Sequence, residues 1–270
     1  MNVRMIVTDL DGTMLNAQRA VSPRNRDAVA RAREKGCLYA VSTGRCIAIV
    51  PQDQLPPIDY MILDNGAEVR DGRTGEVLYA AYIPEDGMLS MIDSLKDYPV
   101  AFECFVDGTL LIDEPLMQNL IEEPFHMELI RRGEIAVVPN LRDYIAAGNA
   151  RVTKINVLFS DLSCFPEVGK TLYAIDSFEV ANGANTWYEI TRAGESKGPS
   201  LQRLCEKIGV DIADVVAFGD SMNDVSMLKL AGHSVAMGNA TPDAAAVAQY
   251  HTLHHDEDGV AVYLEKLLEL

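Results

Sequence analysis

Asp9 and Asp11 stand one residue apart in the segment Asp9-Leu10-Asp11-Gly12-Thr13, just after the apolar run Met5-Ile6-Val7. Two carboxylates this close repel by about 4 kcal/mol at 4 Å and an effective dielectric constant of 20. They need a cation, or one of them must hold a proton. Hard oxygen ligands that leave room for water and a substrate phosphate suit Mg²⁺. A carboxylate is also a competent nucleophile toward phosphorus, giving an aspartyl-phosphate. A third carboxylate, Asp220, follows the apolar run at 215–218, and Thr43 follows the run at 38–41.

These runs and the stretches between them read as alternating strands and helices. Strands are expected at 4–8, 38–41, 60–63, 215–218 and 234–237, with a weaker one at 251–253. Ser22 and Pro23 mark a helix start and Gly36 its end. Further helices are expected from about Cys46, at 197–208, 221–231 and 242–248, and from Asp258 as N-cap to Leu270. Short apolar strands separated by helices form a parallel sheet covered on both faces. In such sheets ligands bind outside the carboxyl ends of the strands. One polar residue at a strand end is most simply a helix cap. Asp9, Thr43 and Asp220 together at one sheet edge point to a ligand crevice.

Between the two strand–helix segments the rhythm changes. Hairpins are expected at 68–70 with 76–79, and at 101–106 with 109–112 across Asp107-Gly108. Strands at 135–138, 153–159, 178–181 and 187–191 mix with helices at 84–95, near Pro115, at 140–147 and at 166–174. The pattern is that of an α+β module. The expected organisation is an α/β core at 1–82 plus 185–270, split in sequence by an inserted α+β domain at 83–184. Trp187 and Tyr188 are expected to pack where the two meet.

A formal charge of −17 argues against general nucleic-acid binding, which needs a basic face. No stretch approaches the ~20 apolar residues of a membrane span, and the N-terminus lacks the features of a signal peptide. The five cysteines are scattered without CxxC spacing, so they are expected to be buried thiols rather than disulfides or zinc ligands. A cytoplasmic protein is the expectation. His251, His254 and His255, beside Asp256, Glu257 and Asp258, lack a familiar metal-ligand spacing and read as a solvated loop. Arg45 is balanced between substrate contact and a structural ion pair.

Four segments together resemble the motifs of the haloacid dehalogenase superfamily: Asp9-Leu10-Asp11-Gly12-Thr13, Ser42-Thr43-Gly44-Arg45, Ser196-Lys197-Gly198 and Gly219-Asp220-Ser221-Met222-Asn223-Asp224. Asn65-Gly66-Ala67, Ala236-Met237-Gly238-Asn239-Ala240 and Glu257-Asp258-Gly259-Val260-Ala261 are similar to its Cof-type, sugar-phosphatase-like branch. The resemblance implies a Rossmann-like parallel-sheet core with an inserted C2-type cap that closes over the site. It implies that Asp9 attacks phosphorus and binds Mg²⁺. Asp11 would bind the metal through its backbone carbonyl, and its side chain would serve as acid and then base. Asp220 would be the third metal carboxylate, supported by Asp224. Thr43 and the Gly44 N–H would hold phosphate oxygens at a helix N-terminus, joined by the Leu10 N–H and the Asn223 amide. Lys197 would offset charge on Asp9 and on the phosphoryl group.

The implied activity is Mg²⁺-dependent hydrolysis of the phosphomonoesters of small metabolites, possibly sugar phosphates. A phosphomutase of related layout would yield an isomeric phosphate instead of free phosphate. A catalytically idle phosphometabolite-binding protein would have lost a catalytic carboxylate, yet Asp9 and Asp11 are both present.

Overall fold

The apolar runs ahead of Asp9, Thr43 and Asp220 form β1 (Met5–Thr8), β2 (Leu38–Ser42) and β12 (Val215–Gly219) in the computed structural model. The structure describes residues 3–114, 131–133, 135–148, 151–183 and 185–270. The helix expected near Pro115 lies outside them. By internal packing the chain divides into two compact units, 1–44 with 51–79 and 196–270, and 45–50 with 80–195.

In the first unit the sheet order is β14 (Tyr250–His251), β13 (His233–Ala236), β12, β1, β2, β3 (Tyr60–Leu63), β4 (Glu68–Asp71) and β5 (Val77–Ala80). Pairing is parallel from β14 through β3 and turns antiparallel at β3–β4. Strand order runs outward in both directions from β1, so the carboxyl end of β1 lies at a topological switch point. Every residue of β1 and β12 is buried, as strands covered on both faces must be.

On one face, α5 (Lys197–Ile208) and α6 (Val225–Leu230) set Leu201, Leu204 and Met227 against Met5, Val7, Ala40 and Ala217. Burying each of the leucine, methionine and valine side chains contributes about 2 kcal/mol. The opposite face meets α1 (Pro23–Glu34) and α8 (Gly259–Leu268), where the Phe218 and Tyr263 rings lie 5.8 Å apart edge to face. Ser22 caps α1 by accepting from the Asn25 N–H at 3.0 Å, and Pro23 takes the first helical position.

A buried ion pair pins the lower part of this unit. Asp59, 2% exposed in its side chain, accepts from Arg33 at 2.9 Å, from the Tyr39 N–H at 2.9 Å and from Arg73. Burial works to raise its pKa, but the hydrogen bonds from Arg33, Tyr39 and Arg73 outweigh it and hold the carboxyl below its ordinary range. The stabilisation is therefore present above the unfolded carboxyl pKa of about 4 and is lost as pH falls through the lower folded value. Asp59→Asn is expected to cost about 2 kcal/mol, less than a fully buried pair because Arg73 reaches solvent. Thermal melts should show the variant's deficit at pH 7 and its disappearance in strong acid. A variant melting with the wild type at pH 7 would remove this role.

The second unit is a six-stranded sheet in the order β10 (Phe178–Gly183), β11 (Trp187–Arg192), β9 (Val152–Phe159), β6 (Val100–Val106), β7 (Thr109–Asp113) and β8 (Ile135–Val138). Among the described residues, β7 and β8 pair in parallel and the other pairings of this sheet are antiparallel. Asp107 and Gly108 both take positive φ, 49° and 82°, which builds the tight β6–β7 turn. The helices α2 (Glu85–Leu95), α3 (Leu141–Ala146) and α4 (Phe165–Tyr173) supply Met88, Met91, Leu95, Ile145, Val168 and Leu172 to one core with Cys104, Ile155 and Ile190.

Three sequence expectations are revised here. The boundary drawn at 184/185 falls inside the β10–β11 hairpin, whose paired register runs from Phe178–Arg192 to Gly183–Trp187, so 187–192 stay with the second unit. Residues 45–50 also join that unit, because buried Cys46 packs with Phe105, Leu110, Ile112 and Ile135. Trp187 and Tyr188 do not share a contact surface. They are neighbours in one strand and point to opposite faces. Tyr188 stacks on Phe165 at 4.2 Å, whereas Trp187 is 37% exposed.

Candidate active site

Asp9 leaves β1 still paired to the neighbouring strand, its N–H donating to the Phe218 carbonyl at 3.0 Å. The chain then turns tightly, with the Leu15 N–H donating to the Leu10 carbonyl at 2.8 Å. Gly12 makes this turn possible. Its φ is +80°, and any Cβ there would collide with the Asp220 carboxylate. Asp220 leaves β12 in the same unit and is held from two sides. Thr13 Oγ1 donates to its Oδ1 at 3.0 Å, and Asn239 Nδ2 approaches its Oδ2 at 3.3 Å.

Lys197 enters from a third direction as the first residue of α5, completely buried. Its ammonium donates to Asp9 Oδ1 at 2.7 Å and to Asp224 Oδ1 at 2.6 Å. Gly198 next to it lets α5 approach α6, since a Cβ there would press on the Ser226 backbone. Ligand oxygens of Asp9, Asp220 and Asp224 lie within 4.8 Å of one another. Asp224 is already committed: besides Lys197, it accepts from the Asp220 and Ser221 N–H groups through Oδ2 at 2.9 and 3.0 Å. Asp9 Oδ2 and the Asp220 carboxylate are therefore the better placed to meet a cation.

The electrostatics agree. Burial raises the Asp9 pKa well above its ordinary value, Lys197 works against that, and the carboxylates of Asp224, Asp220 and Asp11 add to the rise. Asp220 is pushed up to about 7, by burial first and by Asp224 next, against the Thr13 hydrogen bond and Lys197. For Lys197, burial favours loss of the proton, but Asp224 and Asp9 overcome it and hold the ammonium charged. One lysine among these buried carboxylates leaves an excess of negative charge, which is the condition under which a hard divalent cation binds.

A sequence profile of haloacid dehalogenase-like hydrolases matches residues 6–264. The chain belongs to that family. It is 31% identical, over 98% of both chains, to pyridoxal phosphate phosphatase YbhA of Escherichia coli strain K12. It is 27% identical, again over 98% of both, to the 5-amino-6-(5-phospho-D-ribitylamino)uracil phosphatase YwtE of Bacillus subtilis strain 168. Among solved structures, a haloacid dehalogenase-like hydrolase from B. subtilis superposes with a TM-score of 0.85 at 25% identity, covering 98% of this chain and 100% of that one.

In this hydrolase the remaining expected residues take several different settings. Asp11 is exposed, outside the buried carboxylate group, with its backbone in a bridge to Leu15. Leu10 is fully buried. Thr43 is buried at the end of β2, where its N–H donates to the Ile62 carbonyl and its own carbonyl accepts from the Asn65 N–H. Gly44 follows it, but no α-helix starts there. The next helical residues are a single 3-10 turn, Ile47–Ile49, so the expected helix N-terminus behind Thr43 is replaced by loop backbone. Asn223 donates from Nδ2 to Asn65 Oδ1 at 3.0 Å and accepts from Ser221 Oγ at 2.7 Å.

Asn65, Thr13 and Asn239 are the positioning residues not assigned a role from the sequence. Asn65 has φ 56°, a left-handed conformation that asparagine tolerates better than most residues, and a non-glycine polar residue before Gly66 was the available signal. Asn239 also donates to the Gly12 carbonyl at 2.8 Å, tying the turn after β1 to Asp220. The histidine-rich loop is structural: Asp256 Oδ1 accepts from the Ala17 N–H at 2.8 Å, and His255 Nδ1 pairs with the Leu15 carbonyl at 2.7 Å. Asp258 precedes α8 in a left-handed conformation and makes no side-chain cap, contrary to the expectation from its position. No helix of the described residues is long and apolar enough to cross a membrane.

Proposed function

We propose that this hydrolase is a Mg²⁺-dependent phosphomonoesterase of small phosphorylated metabolites, sugar phosphates among them, working through an aspartyl-phosphate on Asp9. The observation that carries the reading is the buried Lys197 ammonium clamped between Asp9 and Asp224, with Asp220 close enough to share one cation. The names of the two phosphatase relatives, both acting on small phosphate esters, support the substrate class.

Asp9 attacks phosphorus through one carboxylate oxygen, and Lys197, bonded to Oδ1, holds the carboxylate in place. As the new O–P bond forms, the bond to the leaving oxygen breaks, and the Asp11 carboxyl delivers a proton to that oxygen. Asp11 then takes a proton from water as the water attacks the phosphorus, which releases inorganic phosphate and restores the Asp9 carboxylate. The Thr43 hydroxyl, the Leu10 and Gly44 N–H groups and the Asn223 amide hold phosphoryl oxygens, and Lys197 adds positive charge. Asp9, Asp220 and the Asp11 backbone carbonyl would hold Mg²⁺, which supplies charge against the phosphoryl oxygens. Asp224 keeps Lys197 and the start of the turn after β12 in place.

Phosphate release should be measured across a panel that includes hexose phosphates, pentose phosphates and pyridoxal 5′-phosphate, with Mg²⁺ and with excess EDTA. Release is expected with Mg²⁺ alone and should return when Mg²⁺ is added back. Full activity in EDTA would take the metal out of the mechanism, and an isomeric phosphate as product would make the enzyme a mutase.

The raised Asp220 pKa makes a separate prediction. A carboxyl whose folded pKa lies near 7 and whose unfolded pKa lies near 4 opposes folding once ionised. Stability of the cation-free protein should therefore fall as pH rises from about 4 to 7. Mg²⁺ at a hundred times its Kd adds about 2.7 kcal/mol. Its effect on the melting temperature should be large at pH 8 and small at pH 5, where protons compete for the same oxygens. An equal Mg²⁺ shift at both pH values, or none, would count against these carboxylates as its ligands.

A further inference from the structure

The bonds that make the histidine-rich loop structural use only part of its donor set. His255 Nδ1 lies 2.7 Å from the Leu15 carbonyl. A carbonyl can only accept, so Nδ1 carries the ring proton and Nε2 presents a bare lone pair. Asp256 Oδ1 accepts from the Ala17 N–H, and its Oδ2 lies 3.9 Å from His255 Nε2 and 3.5 Å from His254 Nδ1. His254 Nδ1 accepts from the Asp256 N–H at 3.2 Å, so it too turns a lone pair, not a proton, toward Oδ2.

Three adjacent residues would point alternately apart in a strand. Here His254 caps a single 3-10 turn, His255–Glu257, and Asp258 after it takes φ 57°. The turn brings one ligand atom from each of His254, His255 and Asp256 within 4.8 Å of the others, a convergence that no ligand spacing in the sequence signals. A tetrahedral site with metal–ligand distances of about 2.0–2.1 Å has ligand edges of about 3.3 Å. The anchored member is His255, 16% exposed in its side chain, while His254 and Asp256, 40% and 42% exposed, have room to close on it. Its ring proton on a backbone carbonyl is the outer bond that orients zinc-ligating histidines. Two imidazoles and one carboxylate favour Zn²⁺ and its neighbours over Mg²⁺ or Ca²⁺, which take oxygen ligands.

We propose that His254, His255 and Asp256 form a second metal site, for a transition-metal ion of the Zn²⁺ class, distinct from the carboxylate crevice. Binding exchanges the 3.2 Å bond at His254 Nδ1 for a metal–nitrogen bond and leaves a fourth position to water. The site reaches the turn after β1 through two hydrogen bonds. The His255 N–H donates to Asn239 Oδ1 at 3.1 Å, and Asn239 Nδ2 donates to the Gly12 carbonyl at 2.8 Å. A bound ion therefore braces that turn from outside. The inference does not depend on the reaction proposed above.

The test is a calorimetric titration of Zn²⁺ into the full-length protein, with excess Mg²⁺ present, at about pH 7.5 so that few protons compete for the ligands. One saturable Zn²⁺ site is expected. His254→Gln and His255→Gln should each weaken it by about tenfold or more, whereas Asp220→Asn in the carboxylate crevice should leave it in place. Imidazole NMR of the wild type needs no variant: the ring signals of two of the five histidines should shift as Zn²⁺ reaches one equivalent. The proposal is overturned by the absence of a saturable site, by binding that survives both histidine changes, or by binding lost with Asp220→Asn, which would put Zn²⁺ in the crevice. If a glutamine variant fails to fold, the wild-type ring signals decide: two that shift at one equivalent uphold the site, and none that shift overturns it. Phosphate release enters none of these readouts, so failure of the proposed reaction and failure of this site are told apart.

Discussion

Asp9→Asn is expected to reduce phosphate release to background while the protein melts within a few degrees of the wild type, or above it. The amide keeps the shape of the side chain, and Oδ1 can still accept from Lys197. What it loses is the anionic oxygen that attacks phosphorus, and no neighbouring group can substitute. Asp224 has both oxygens engaged, and Asp220 is held by Thr13 and Asn239. Removing a covalent nucleophile costs about 10⁴-fold or more in turnover. Stability should move little because the substitution also removes one charge from an over-charged buried group. Burial and the surrounding carboxylates already push the Asp9 pKa up, so removing its charge relieves part of that cost. The measurement is a single-turnover assay on a phosphate ester alongside a thermal melt. Wild-type rates in a folded Asn variant would sink the assignment of Asp9.

The same site shows which parts of the chemistry are legible in the sequence. Asp9, Thr43 and Asp220 each end an apolar run, and in a parallel sheet strand ends of that kind converge by topology alone. Lys197 was readable only through the resemblance of Ser196-Lys197-Gly198 to a motif of the family, since a Lys-Gly pair alone carries no signal. Its complete burial between two carboxylates was not, since a lysine usually keeps its charge in water. Thr13, Asn65 and Asn239 escaped because their work is done through single hydrogen bonds that depend on where other loops arrive. The allegiance of 45–50 escaped for a related reason. The segment follows a core strand in sequence, and long-range contacts assign it to the second sheet: Cys46 packs with Phe105 and Leu110, and the Ala48 N–H donates to the Gly108 carbonyl at 3.3 Å. Tyr188, expected at a junction, alternates with Trp187 along the strand and packs into the second unit's own core against Phe165.

Lys197→Met should have the largest combined effect on activity and stability. Methionine matches the length of the lysine stem and fills the same space without a charge. The change leaves Asp9 and Asp224, 4% and 0% exposed, with no ammonium between them. Breaking a buried pair in this way costs about 3–5 kcal/mol, because the stranded carboxylates keep their desolvation penalty. Turnover should fall by about 10³-fold as well, since charge directed at the phosphoryl group is lost along with the positioning of Asp9. The pH dependence separates this account from a simple packing defect. Lys197 opposes the rise of the Asp9 and Asp220 pKa values, so without the ammonium both rise further above their unfolded values. The variant's deficit in melting temperature should therefore be greatest near pH 8 and shrink toward pH 5, where protonation removes the repulsion. Mg²⁺ should recover part of the stability at pH 8 but little of the turnover. A deficit that is the same at every pH would mean that Lys197 only fills space, and wild-type turnover in the variant would remove it from the reaction.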